Sequence, residues 1–221
     1  MKIFKDILTY AFRGSGKYVW FTCVVLLVVA ELVSFAPVFG WIASLLLSGY
    51  FCAIYFQMVQ STATGGKEAP EFPDTANLFE DVIWPMLQIF IVVLVSLAPL
   101  LVYQIAVDEV DQKGRWIFGL LGFGLVYLPM ALLAVVVLGH LGAMSPHIVI
   151  PAIFRGGWLY WVGVLLLVVL YLVDGFLTKL SAGNPIVGTL LMSGVGAYVL
   201  MTNARMLGVV YREREEELGW L

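Results

Sequence analysis

Charge is the scarcest commodity in this chain. Of its 221 residues, 12% are Asp, Glu, Lys or Arg, about half the roughly 25% usual in soluble domains. Hydrophobic residues make up 62%, and the mean hydropathy is +0.97. That balance excludes an ordinary soluble globular class. No face is rich in Lys and Arg, and the formal net charge is −3, so a nucleic-acid partner is not expected. Long polar segments are lacking too. The longest runs from about Ser61 to Asp81, which leaves no room for a large soluble domain. Cysteine is nearly absent. Cys23 and Cys52 both fall inside apolar runs, which argues against a disulfide framework. His140 and His147 have no ligand-like spacing, so no metal site is expected. There is no nucleophile motif, phosphate loop, dinucleotide fingerprint or His-Glu-x-x-His pattern. Neither a cofactor nor catalysis is therefore expected.

What is present is apolar sequence in runs near 20 residues, the length of a membrane-crossing helix. The expected fold is an all-α polytopic membrane protein, one transmembrane domain over residues 1–221. Its six spans are expected at about 18–35, 38–59, 86–107, 116–138, 158–172 and 185–209. Lys2, Lys5, Arg13 and Lys17 precede the first run, and Ser34-Phe35-Ala36 resembles a small-x-small cleavage site. The charged region is long and helix-patterned, however, and Pro37 would become the first mature residue. The run is read as an uncleaved first span.

Residues 1–13 follow the i, i+3, i+4 rhythm of an amphipathic helix. Ile3, Phe4, Ile7, Leu8, Ala11 and Phe12 form one face, with Lys2, Lys5, Asp6, Thr9 and Arg13 on the other. Too short and too charged to span, it suits the headgroup region. Gly14-Ser15-Gly16 then breaks it. Tyr18 and Trp20 read as interfacial anchors of the first span. Gly40, Ser44 and Ser48, spaced by four, and Gly119, Gly122 and Gly124 read as faces for close helix approach in lipid. Residues 61–84 form the main polar loop, ending in a short helix capped by Asp74 or Thr75. Pro85 should kink or restart that helix. Asp108 to Arg115 reads as a charged turn, 146–155 as another interfacial helix, Asp174 to Asn184 as a loop, and 211–221 as a charged tail.

The positive-inside rule sets orientation. With the N-terminus inside, Lys2, Lys5, Arg13, Lys17, Lys67, Arg155, Arg205, Arg212 and Arg214 lie inside. Lys113, Arg115 and Lys179 lie outside. Both termini are therefore expected in the cytoplasm. Short helices at 1–13, 74–84 and 146–155 would then introduce three hairpins. The first and third hairpins repeat a motif. Pro37, Gly40, Tyr50 and Met58 align without gaps on Pro185, Gly188, Tyr198 and Met206. Phe12-Arg13-Gly14 and Phe154-Arg155-Gly156 stand upstream of each. Such a repeat is parallel, unlike the inverted repeats of many secondary transporters.

Three residues are candidate polar sites. Glu31 lies roughly 20 Å along the first span from Tyr18, at about 1.5 Å per residue. An ionisable group at that depth is a functional hypothesis. Asp174 takes the matching place after the fifth span. The two could bind a cation, a proton or a partner's base, or be hydrated carboxylates at the outer interface. Arg205, with Thr202 and Asn203, lies near the inner end of the sixth span. Its readings are a lipid phosphate, a pair with Glu80 or Asp81, or a snorkelling arginine.

Ala69-Pro70-Glu71-Phe72-Pro73-Asp74, followed by Leu78-Phe79, resembles the loop of a bacterial membrane family, domain of unknown function 4013. The six-span plan, tight first hairpin and Gly-Tyr of the second span fit that family as well. The resemblance implies a multi-pass protein of the bacterial cytoplasmic (inner) membrane, and it carries over no activity and no site residue. The expected function is non-catalytic. The chain reads as an accessory or scaffold subunit with membrane lipids around it and a partner membrane protein, or further copies of itself, beside it. The alternative is a small-solute or lipid transporter or lipid-handling protein.

Overall fold

The structure is a computed structural model and describes residues 2–34, 36, 39–73, 77–107, 110–180 and 185–220. Every regular element among these residues is helical. The α-helices are α1 (Lys2–Thr9), α2 (Gly16–Ser34), α3 (Phe39–Ala63), α4 (Trp84–Ala106), α5 (Val110–Leu138), α6 (Pro146–Arg155), α7 (Gly157–Leu180) and α8 (Pro185–Leu218). Six of these, α2 to α5, α7 and α8, are long and apolar enough to cross a membrane.

The short helices follow from local sequence. In α1 the apolar stripe buries Ile7 while Lys5 stays exposed. A 3-10 turn, Tyr10–Phe12, continues it. Gly14 then adopts a φ of +52° and reverses the chain into α2, a conformation open to glycine without strain. The same device recurs later, where Gly157, at φ +61°, separates α6 from α7.

Pro85 acts through its missing N–H. A π-helical turn, Phe79–Ile83, absorbs the fault, with the Trp84 amide reaching the Phe79 carbonyl. The turn runs directly into α4, so the separate helix expected over 74–84 is replaced by an extension of the following span. The expected caps, Asp74 and Thr75, lie outside the described residues. Asp81 takes a capping role instead, its carboxylate accepting from the Asn77 amide at 3.0 Å. Two expected connections are also helical. α5 begins at Val110, inside the expected turn, and α7 continues to Leu180.

α8 is the post around which the bundle packs. It lies against α3, α2, α7, α5, α1 and α6, while α4 pairs with α5 and α2 with α3. Glycine makes the closest approaches possible. A Cβ on Gly208 would strike the Thr62 side chain and come within 2.8 Å of the Val59 carbonyl oxygen. On Gly49 it would lie 2.7 Å from a Val82 methyl, and on Gly163 it would overlap Met206. The small-residue faces read from spacing behave differently. Gly124 packs on Ser96 and Leu97, but a Cβ on Gly119 or Gly122 would meet nothing within 4 Å. Ser48 is exposed, and its hydroxyl donates back to the Ser44 carbonyl at 2.8 Å.

Burial is uneven along the bundle. In α5 every residue from Pro129 to Val136 is buried, as is nearly all of α8 from Met201 to Tyr211. Toward the other end of the spans, Trp41, Ile105 and Phe118 are each at least 80% exposed. Of the two expected anchors, Tyr18 is exposed, while Trp20 is half-buried and its indole N–H donates to the Gly194 carbonyl at 3.0 Å. It ties α2 to α8.

Candidate functional site

Arg205 sits in the tightly packed half of α8 and is only 2% exposed. A guanidinium shielded to that degree is costly unless its charge and its donors are matched. Here they are. Nη2 donates to Asp6 Oδ2 at 2.8 Å and Nε to the same oxygen at 3.3 Å. Nη1 donates to the Gly66 carbonyl at 2.5 Å and to the Thr62 hydroxyl oxygen at 3.3 Å. The guanidinium carbon lies 4.8 Å from the centre of the Tyr10 ring, an added cation–π contact. One side chain of α8 thus fastens α1, the end of α3 and the loop after it.

The fastening is reinforced around its edge. Asp6 also accepts from Arg13 at 3.0 Å. The Tyr10 hydroxyl donates to the Glu68 carbonyl at 3.3 Å, and Ser15 to the Ala69 carbonyl at 2.9 Å. Burial raises the Tyr10 hydroxyl above its ordinary value, and the Arg205 charge offsets part of that rise. The C-terminal segment joins the same end. Leu218 is buried, Tyr211 stacks on Trp220 at 6.0 Å, and Arg155 donates to the Leu218 carbonyl at 3.4 Å. The tail expected as a helix end is helical as far as Leu218, kinked at the non-helical Arg214, and Leu218 packs it onto the body.

Arg205 has neither of the carboxylate partners considered from sequence, nor does it snorkel. Its acid is Asp6, which sequence reading assigned only to the polar face of α1. The available signal was that Asp6 is the sole acid in that otherwise basic segment. Glu31 is exposed near the far end of α2, roughly 22 Å along the helix from Gly16. The structure does not bring it to Arg205. Asp174 lies within α7, but its side chain is outside the described residues.

A second feature lies on the opposite face of α8. At about 100° per residue, Gly196 and Arg205 point about 180° apart. On the Gly196 side a cavity of about 380 Å³ opens among α3, α4, α5, α7 and α8. Its wall is apolar, with Ile89, Leu128, Leu132, Val164 and Leu167 prominent. Its polar groups include Tyr55, whose hydroxyl donates to Asn203 Oδ1 at 3.0 Å. Such a bond holds helices together where water is scarce.

No protein-family model matches the chain, and no curated protein or solved structure matches it.

In the cavity wall itself, Pro129 deprives the Leu125 carbonyl of its helical partner. Close by, the Tyr160 hydroxyl of α7 donates to the Val126 carbonyl, and Tyr127 donates to the Met144 carbonyl. The cavity wall is thereby pinned from α7 and from the segment before α6.

Proposed function

We propose that this chain is a multi-pass protein of the bacterial cytoplasmic membrane that works by binding rather than catalysis, as an accessory or scaffold subunit of a membrane complex. The carrying observation is the fastened charged end. α1, the loop after α3, and the end of α8 are tied by Asp6, Arg205, Tyr10 and Ser15. This makes a rigid polar surface, which suits a standing contact better than a moving gate.

The same ties support a topology with both termini and the 61–84 loop on the cytoplasmic side, because they draw those segments together. Three hairpins are supported by the pairing of α2 with α3, α4 with α5 and α7 with α8. A parallel repeat of the first and third is supported by the shared order of short helix, left-handed glycine and long helix, with Gly157 one position past Gly156, the residue matched to Gly14. This plan remains compatible with the resemblance to domain of unknown function 4013.

Lipid handling is the second reading, favoured by the apolar cavity on the Gly196 face of α8. Purification in mild detergent, with the mass and composition of the particle measured, separates the two. A stoichiometric second protein is the expected result. A particle of this chain alone, holding a tightly bound lipid that Val164→Phe expels, would replace the subunit reading with the lipid one.

A further inference from the structure

Between α1, the loop after α3, and α8 lies a cleft of about 810 Å³. Lys5, Arg13, Lys67, Arg205 and Arg212 contribute to its lining. Against these five bases stand two acids, Asp6 and Glu68. The cleft is thus net positive by three charges, in a chain whose formal net charge is −3. Cations have been concentrated here against the overall balance of the protein.

The two acids do not neutralise the bases evenly. Asp6 is engaged by Arg205 and Arg13. Glu68 is exposed and close to Gly14, its carboxylate 2.9 Å from where a Cβ on that glycine would stand. Arg212 pairs with Glu213 at 3.2 Å. Lys5 and Lys67 are exposed and form no ion pair among the described residues. They come from different elements, α1 and the loop, yet line one cleft. Because Arg205 ties Asp6 of α1 to Gly66 of that loop, the two segments that carry these lysines are already held together before any ligand arrives. With the segments already in place, binding an anion orders only the lysine side chains and not the backbone that carries them. Ile3 and Val209 add apolar wall beside the charges.

We infer that this cleft binds a phosphate-bearing anion, with Lys5 and Lys67 as its direct contacts and Arg205 as the positioning residue beneath them. Lysine serves phosphate as a point charge, without the planar geometry that arginine demands. The cleft's place beside an amphipathic helix makes an anionic lipid headgroup one source of that phosphate, and a soluble phosphate compound the other. The inference is independent of the subunit reading, since a scaffold and a lipid-handling protein could equally carry such a site.

The test is thermal unfolding of the purified full chain in detergent. The additions are short-chain phosphatidic acid, short-chain phosphatidylcholine, or inorganic phosphate. Phosphatidic acid should raise the midpoint where phosphatidylcholine does not. Lys5→Gln with Lys67→Gln should keep the ligand-free midpoint, since both side chains are exposed, and need about twenty-five-fold more phosphatidic acid, about fivefold per lysine. If inorganic phosphate alone gives the full shift, the site stands and its ligand is a soluble phosphate compound. The inference fails if neither phosphatidic acid nor inorganic phosphate, the two additions with net negative charge, exceeds zwitterionic phosphatidylcholine, or if the double variant responds as the parent does.

Discussion

Removing Asp6 would strand a guanidinium almost fully shielded from water. Removing Arg205 would leave a carboxylate 30% exposed and still paired with Arg13. The two substitutions should therefore be unequal. Asp6→Ala is expected to destabilise the fold by about 3–5 kcal/mol, the usual cost of an uncompensated buried charge. Arg205→Met, which removes the charge and fills the space, should cost clearly less. Chemical denaturation in detergent micelles reads both. Equal losses, or a larger loss for Arg205→Met, would mean that Asp6 is not what neutralises Arg205. Arg205 was recognisable in the sequence as an odd residue at a span end. Its partner was not, because Asp6 lies 199 positions away and only the fold brings them together.

At the level of the helices, contact depends on which glycines face a neighbour rather than on spacing alone. Gly208→Ala should cost about 1–3 kcal/mol by overpacking against Thr62 and Val59. It should also disturb the Thr62 bond to Arg205. Gly122→Ala, with open space around its Cβ, should leave stability unchanged or slightly raised. Unfolding midpoints of the two variants check this, and a neutral Gly208→Ala would contradict the α3–α8 approach. Span existence was plain in the sequence because lipid demands long apolar runs. Helix ends were less so. Lys113, Gly114 and Arg115, and later Asp174 and Gly175, interrupt the apolar pattern without interrupting the helix. Backbone hydrogen bonding continues past the point where hydrophobicity stops. The small-residue faces were right only in part for a related reason: Gly40 is buried and Gly124 meets Ser96, but Gly119 and Gly122 meet no neighbour, because spacing marks a face without saying what it meets.

Across the whole molecule, one end is tightly packed and tied by polar contacts, while toward the other Trp41, Ile105 and Phe118 stay exposed. A charged end built from α1, the loop after α3 and the end of α8 has a functional meaning only if all three lie on one side of the membrane. Accessibility labelling of single cysteines, placed in a chain with Cys23 and Cys52 replaced, tests this most directly. Thr64 and Glu216 are exposed positions at the charged end, and Gly114 is an exposed position near the start of α5, at the other end. The account predicts that an impermeant thiol reagent applied outside intact cells labels Gly114→Cys and spares Thr64→Cys and Glu216→Cys until the membrane is opened. Labelling of either Thr64→Cys or Glu216→Cys from outside, or protection of Gly114→Cys, would contradict it.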